Sequence, residues 1–180
     1  NIIDSSKLEI GYMDIKFENS NIVYLVEEVV LSIVDIAKDK NIEIIFNTEE
    51  EEIITAIDEE KIVRVILILL SNSIKFSKEK GDICVEMRRE DEEVVIKVTD
   101  DGIGINEDMK EKIFDKFKRV QSVSNLNVDH EGSGLGLYIA KGFIELHNGS
   151  ISVVSEVEKG STFIITIPIV IIKNDLHNIN

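Results

Sequence analysis

Between residues 22 and 37 apolar side chains recur at positions 22, 25, 26, 29, 30, 33, 34 and 37, the i, i+3, i+4 stripe of an amphipathic helix. Ser20 or Asn21 stands where an N-cap belongs. A second helix is predicted after the capping residue Asp58, and it contains the stretch VILILLSNSIKFS, residues 65–77. A short helix over Asp108–Phe117 and a longer one over Ser133–His147, stopped by Asn148 and Gly149, complete the helical set. Alternating or β-branched runs predict strands at Ile42–Asn47, Ile53–Ile57, Ile83–Arg89, Val94–Thr99, Ile151–Ser155 and Thr162–Ile167, with a further short one at Met13–Phe17. Residues 1–9 read as the tail of a helix stopped near Gly11. Residues 118–131 are polar and without period, and read as a mobile loop.

Strand pairs alternate with helices, which fits neither a helical bundle nor a regular parallel βαβ array. The expected fold is α/β of the α+β kind: a two-layer sandwich in which about three helices cover one face of a mixed β-sheet. Val94, Ile96 and Val98 would face those helices; Val95, Lys97 and Thr99 would face solvent.

Composition narrows the function without naming it. With 180 residues, 43% of them hydrophobic, the chain can enclose one ordinary core. Twenty Lys and Arg against 35 Asp and Glu leave a formal charge of −15, a field that repels nucleic acid and anionic membrane. No nucleic-acid partner is expected, and a phosphorylated ligand would need a local gathering of cations. Cys84 is the single cysteine, so neither a disulfide framework nor a cysteine zinc site is available, and a reducing compartment fits. The apolar run Phe163–Ile172 is interrupted by Thr166 and Pro168 and is too short to span a bilayer. The sequence opens in mid-pattern, so it is expected to be a piece of a longer protein, with any membrane anchor upstream.

Three stretches carry candidate chemistry. In VTDDGIGI, residues 98–105, strand parity turns Asp100 toward the core, where a carboxylate is costly unless something donates to it. Gly102 and Gly104 follow and let backbone approach a ligand. A flat heterocycle with an exocyclic amine would satisfy the arrangement; equally, Asp100 could cap a turn that the glycines shape. In EGSGLGLYIAKGF, residues 131–143, Gly132, Gly134 and Gly136 precede a helix whose free N–H groups form an anion site, or else serve as a hinge. In the second helix Asn72, Lys75 and Phe76 share one face. An amide oxygen there can ligate Mg²⁺, an ammonium can offset phosphate charge and a ring can flank a base; a helix end surfacing into water is the plainer alternative.

Taken in order, these stretches resemble the ATP-binding domain of a sensor histidine kinase, within the wider superfamily of gyrase, mismatch-repair and heat-shock chaperone ATPases. NSIKFS is similar to that family's N box and DDGIGI to its first glycine box. IFDKF, with Phe114 and Phe117, is similar to the F box, GSGLGL to the second glycine box and GSTF, residues 160–163, to the closing motif. The resemblance implies a Bergerat-type ATP-binding fold over residues 13–170, preceded by the end of a dimerisation helix and linker (1–12) and followed by a tail (171–180). It implies that Asp100 accepts from the adenine amine with Thr162 nearby, that Asn72 holds Mg²⁺ and that Lys75 meets the phosphates. Phe76, Gly102, Gly104 and Ile105 would line the nucleotide site. Residues 118–131 would form a lid with Gly132, Gly134, Leu135, Gly136 and Leu137 at its hinge.

The implied partners are ATP with Mg²⁺, a histidine-containing dimerisation domain of the same protein, and a response regulator receiver domain. The full-length protein would be a homodimer with this domain in the cytoplasm. His130, His147 and His177 are not where the family places its phospho-acceptor and are expected to be structural or solvated. Where the N box has an earlier Asn, this sequence has Ile68, which cannot hydrogen-bond a phosphate or orient water. A nucleotide-binding or docking module with impaired catalysis is therefore the alternative; a related ATPase or serine-directed kinase on the same fold is another.

Overall fold

The computed structural model describes residues 13–118 and 133–173. Strand β1 (Glu18–Asn21) leads directly into helix α1 (Ile22–Lys38), whose start is capped by Asn21 through a bond from the Val23 N–H at 3.1 Å. Strands β2 (Glu43–Thr48) and β3 (Ile54–Ile57) follow, then helix α2 (Glu59–Phe76) and the hairpin β4 (Asp82–Glu90) and β5 (Glu93–Asp100). Helix α3 (Gly136–Leu146) precedes the final hairpin β6 (Ser150–Glu156) and β7 (Gly160–Pro168).

The main sheet has the order β2-β4-β5-β7-β6; β2 lies parallel to β4 and the other pairs are antiparallel. A separate ribbon pairs β1 with β3. The mixed sheet and its covering helices match the expected sandwich. Val94, Ile96 and Val98 on β5 and Phe163, Ile165 and Ile167 on β7 pack in one core with the inner stripes of all three helices. Lys97 and Thr99 on the other face are only partly covered, although Val95 is buried beside them. No helix of the described residues is long and apolar enough to cross a membrane.

Three local expectations are corrected. Met13–Phe17 has no strand; the strand comes at Glu18–Asn21, in register with β3. Asp108–Phe117 is not one helix but two 3₁₀ turns, Glu107–Met109 and Lys112–Phe114. The adjacent residues Ile113 and Phe114 are both buried, with Phe114 edge-on to Phe163 at 6.5 Å, so tertiary packing overrides helical propensity. Helix α3 starts at Gly136 rather than Ser133 because Gly134 has a left-handed backbone (φ +67), which ends any right-handed turn.

Beyond β7 the chain stays docked: Asn19 and Ile172 exchange two hydrogen bonds at 2.8 and 2.9 Å. The expected dimerisation-helix tail, the lid apart from Lys118, and residues 174–180 of the C-terminal tail fall outside the described residues, as do His130 and His177.

A polar cluster ties the two helices that border the site. Asp58 caps α2, with Oδ1 accepting from the Lys61 N–H at 3.2 Å. Its Oδ2 takes the Lys61 ammonium at 2.6 Å and the Lys16 N–H at 2.9 Å. Its own N–H donates to His147 Nε2 at 3.0 Å, and His147 Nδ1 meets the Phe143 carbonyl at 2.7 Å. That pairing demands the neutral imidazole with its proton on Nδ1. His147 is thus structural, as expected.

Candidate functional site

Strand parity delivers Asp100 to the core side of β5, where it is buried at the floor of a cavity of about 460 Å³ between α2, α3 and the sheet. That volume lies in the range of small-molecule sites. Both carboxylate oxygens already accept a bond. The Gly102 N–H donates to Oδ1 at 3.0 Å and the Ser73 hydroxyl to Oδ2 at 3.1 Å. Each oxygen has two lone pairs, so capacity remains for a donor arriving from the cavity. Burial pushes the pKa of Asp100 above the usual carboxylate range, and these bonds offset that only in part.

The turn after β5 is shaped for close backbone approach. Gly104 has φ +69, and a Cβ there would sit 2.0 Å from the Glu156 carbonyl oxygen, so no side chain is admissible. Ile105 is then anchored by its N–H to the Ser155 hydroxyl at 2.8 Å.

Helix α2 forms one wall. Arg64, Ile68, Asn72, Lys75 and Phe76 recur at helical spacing and all line the cavity. The Lys75 ammonium lies 5.3 Å from the Phe76 ring centre, and the Arg64 guanidinium lies 5.8 Å from that of Phe143. The opposite rim is the start of α3, where Gly134, Gly136 and Leu137 line the cavity and no side chain caps the first turn. The N–H groups of that turn have no intrahelical partner and the helix dipole is positive there, which suits an anion. Gly134 is held by the Phe117 N–H donating to its carbonyl at 3.0 Å.

The donor set suits a metal that arrives with a ligand. Among the described residues no group of three His, Cys, Asp or Glu side chains could hold a metal ion. Asn72 offers a neutral amide oxygen on the wall, which fits Mg²⁺, a cation that takes one or two protein ligands and completes its shell with phosphates and water.

A family model described as histidine kinase-, DNA gyrase B- and HSP90-like ATPase matches residues 57–171. The chain belongs to that family. Histidine kinase P4 of Formosa agariphila is 33% identical over 172 residues, covering 93% of this chain and 12% of P4. The sensor histidine kinase WalK of Bacillus subtilis is 35% identical over 136 residues, 74% of this chain and 22% of WalK. The chain thus spans less than a quarter of the length of either relative. The nucleotide-free catalytic domain of histidine kinase ThkA has a TM-score of 0.75 at 30% identity, covering 86% of this chain and 97% of that one. ThkA in complex with the response regulator protein TrrA gives 0.74 at 26% identity, covering 93% of this chain and 46% of the matched one.

Within this ATPase family the chain's own site differs from expectation in several places. Of the residues singled out from sequence, Asn72, Lys75, Phe76, Asp100, Gly104, Ile105, Gly134, Gly136 and Leu137 all line the cavity. Gly102 serves from behind, through its bond to Asp100. Leu135 is wholly buried in the core rather than in the cavity wall, and Gly132 lies outside the described residues.

Thr162 is not beside Asp100. It pairs in register with Thr99 on the opposite face of the sheet, their hydroxyls 3.0 Å apart. Ser161 is the residue opposite Asp100 and it lines the cavity. The signal was available: Phe163, Ile165 and Ile167 face the core, so parity assigns residue 161 to that side.

Arg64 was also missed, although it continues the Ile68–Asn72 stripe by one turn. Lys118 supplies a third cation at the rim. Ser73, a donor to Asp100 from 27 residues away, had no signal in the sequence.

Proposed function

We propose that this chain is the ATP-binding catalytic domain of a sensor histidine kinase, donating the γ-phosphoryl group of ATP to a histidine on a dimerisation domain upstream. The observation that carries the reading is Asp100: a buried carboxylate at the floor of a glycine-rimmed cavity, with acceptor capacity left for an exocyclic amine. In this reading Asp100 takes the adenine amine and Phe76 flanks the base. The phosphates lie between the wall of α2 and the uncapped start of α3. Arg64, Lys75 and Lys118 give the locally positive lining that a chain of charge −15 needs for a polyanion. Asn72 would hold Mg²⁺, which would neutralise part of the phosphate charge.

Transfer breaks the bond between the γ-phosphorus and its bridging oxygen and forms one to an imidazole nitrogen. ADP departs and the imidazole gives up its N–H proton. Positioning and charge offset supply most of the catalysis in such a step. The onward partner would be a response regulator receiver domain, consistent with the ThkA complex, and the full-length protein would be a homodimer with this domain in the cytoplasm.

Ile68 favours a second reading, a domain that binds nucleotide but transfers poorly. It lines the cavity between Arg64 and Asn72, and its Cγ2 lies 3.3 Å from where a Cβ on Gly136 would be, so an apolar group occupies the middle of the phosphate wall. Labelled ATP supplied to a chain extended upstream through the dimerisation helices decides between them. Acid-labile label on histidine is the expected outcome. ATP bound without label on protein would replace the kinase reading with the second one.

A further inference from the structure

Ser73 sits one residue beyond Asn72 on α2, is 1% exposed and does not line the cavity. Its hydroxyl is spent on Asp100 Oδ2, at 3.1 Å. The other donors to this carboxylate are backbone: the Gly102 N–H on Oδ1 and a contact from Ser161. Gly102 cannot be exchanged freely, because a Cβ there would lie 2.4 Å from the Phe76 carbonyl oxygen. Ser73 is therefore the side chain that holds the ligand-reading carboxylate from behind.

We propose that Ser73 is a positioning residue that keeps Asp100 an ionised acceptor, and so sets the pH range over which the cavity prefers a 6-aminopurine to a 6-oxopurine. The inference rests on the nucleotide reading of the cavity.

An ionised carboxylate offers only lone pairs; it welcomes an amine and repels a carbonyl oxygen. A protonated one has an O–H to donate and can serve a 6-oxo group. Burial is the main force driving Asp100 toward the neutral form, with the Asp101 carboxylate adding to it. The charged groups lining the cavity are Arg64, Lys75 and Lys118. Against burial stand the donated bonds, and Ser73 supplies the side-chain one. Removing it raises the pKa of Asp100 further, so the affinity for an aminopurine is lost at a higher pH as the solution is acidified.

The test compares wild type, Ser73→Ala, Ser73→Cys and Ser73→Thr for binding of ATP and of inosine triphosphate between about pH 5 and pH 8. Protonation of the nucleotides is common to all variants and cancels in the comparison. The acid limb of ATP binding should move up by about one pH unit in Ser73→Ala, the size expected for a hydrogen bond to a charged group. The preference for ATP over inosine triphosphate should narrow there first. Ser73→Thr, which keeps the hydroxyl, should restore the wild-type limb. Ser73→Cys, a weaker donor of similar volume, should fall between, and it carries the test if Ser73→Ala fails to fold. Superimposable limbs in wild type and the Ala and Cys variants, or a uniform loss at every pH, would overturn the proposal while leaving the nucleotide reading intact. A wild type that binds neither nucleotide would instead remove the reading on which the proposal stands.

Discussion

Asp58 and Asp100 are buried almost equally, at 5% and 6% exposed, yet their acidities move in opposite directions. Burial raises both. At Asp58 it is outweighed by the Lys16 N–H and by the ammonium and N–H of Lys61, so its carboxyl falls below the usual range. At Asp100 burial prevails over the Gly102 and Ser73 bonds. One cluster is closed, with donors that include a cation; it joins α2, α3 and the segment before β1. The other is open toward a cavity, and its donors are the Ser73 hydroxyl and backbone N–H groups. Depth alone does not mark a functional carboxylate. What marks it is an incomplete set of donors, with the remaining capacity facing space a ligand can enter.

Three substitutions can break or sharpen the contrast. Asp58→Ala removes the cap of α2 and leaves the Lys61 ammonium without its partner. It should cost about 2–4 kcal/mol of stability, measured by urea unfolding. A loss under about 0.5 kcal/mol would show that the closed cluster is not structural.

Asp100→Asn should act oppositely. ATP affinity should fall by about tenfold to a hundredfold by calorimetry, because the acceptor for the amine is halved and its charge lost. The free protein should be no less stable at neutral pH. A carboxyl whose pKa is raised in the folded state stabilises the fold only when protonated, and that contribution is lost as pH rises through the raised value. The amide removes the penalty of the buried charge. A mutant that keeps full affinity but unfolds more readily would assign Asp100 to the structural class.

The smallest effect concerns His147. Burial holds its imidazole below the ordinary range, so on acidification the unfolded chain takes up a proton before the folded one does. Stability present near neutrality should fall as pH drops through the ordinary imidazole range, by at most about 1.4 kcal/mol per pH unit. His147→Gln should flatten that limb in thermal midpoints recorded at several pH values. An unchanged slope would place the acid sensitivity elsewhere.

Much of this could be read from one dimension. The 22–37 stripe locates α1, Asp58 is recognisable as a cap, and parity along β5 turns Asp100 inward; the same parity on β7 names Ser161 rather than Thr162. The two 3₁₀ turns were not legible, because Ile113 and Phe114 answer to partners distant in sequence.

Periodicity and capping are local properties of a few neighbouring residues, so the sequence by itself determined which segments become helix or strand and which face of each is apolar. The folded chain alone decided the parallel pairing of β2 with β4, the Ser73 hydroxyl on Asp100, and the bond from Asp58 to His147 across 89 residues. These depend on sheet register and helix docking. Both are set by simultaneous packing of the whole core, which no short window of sequence contains.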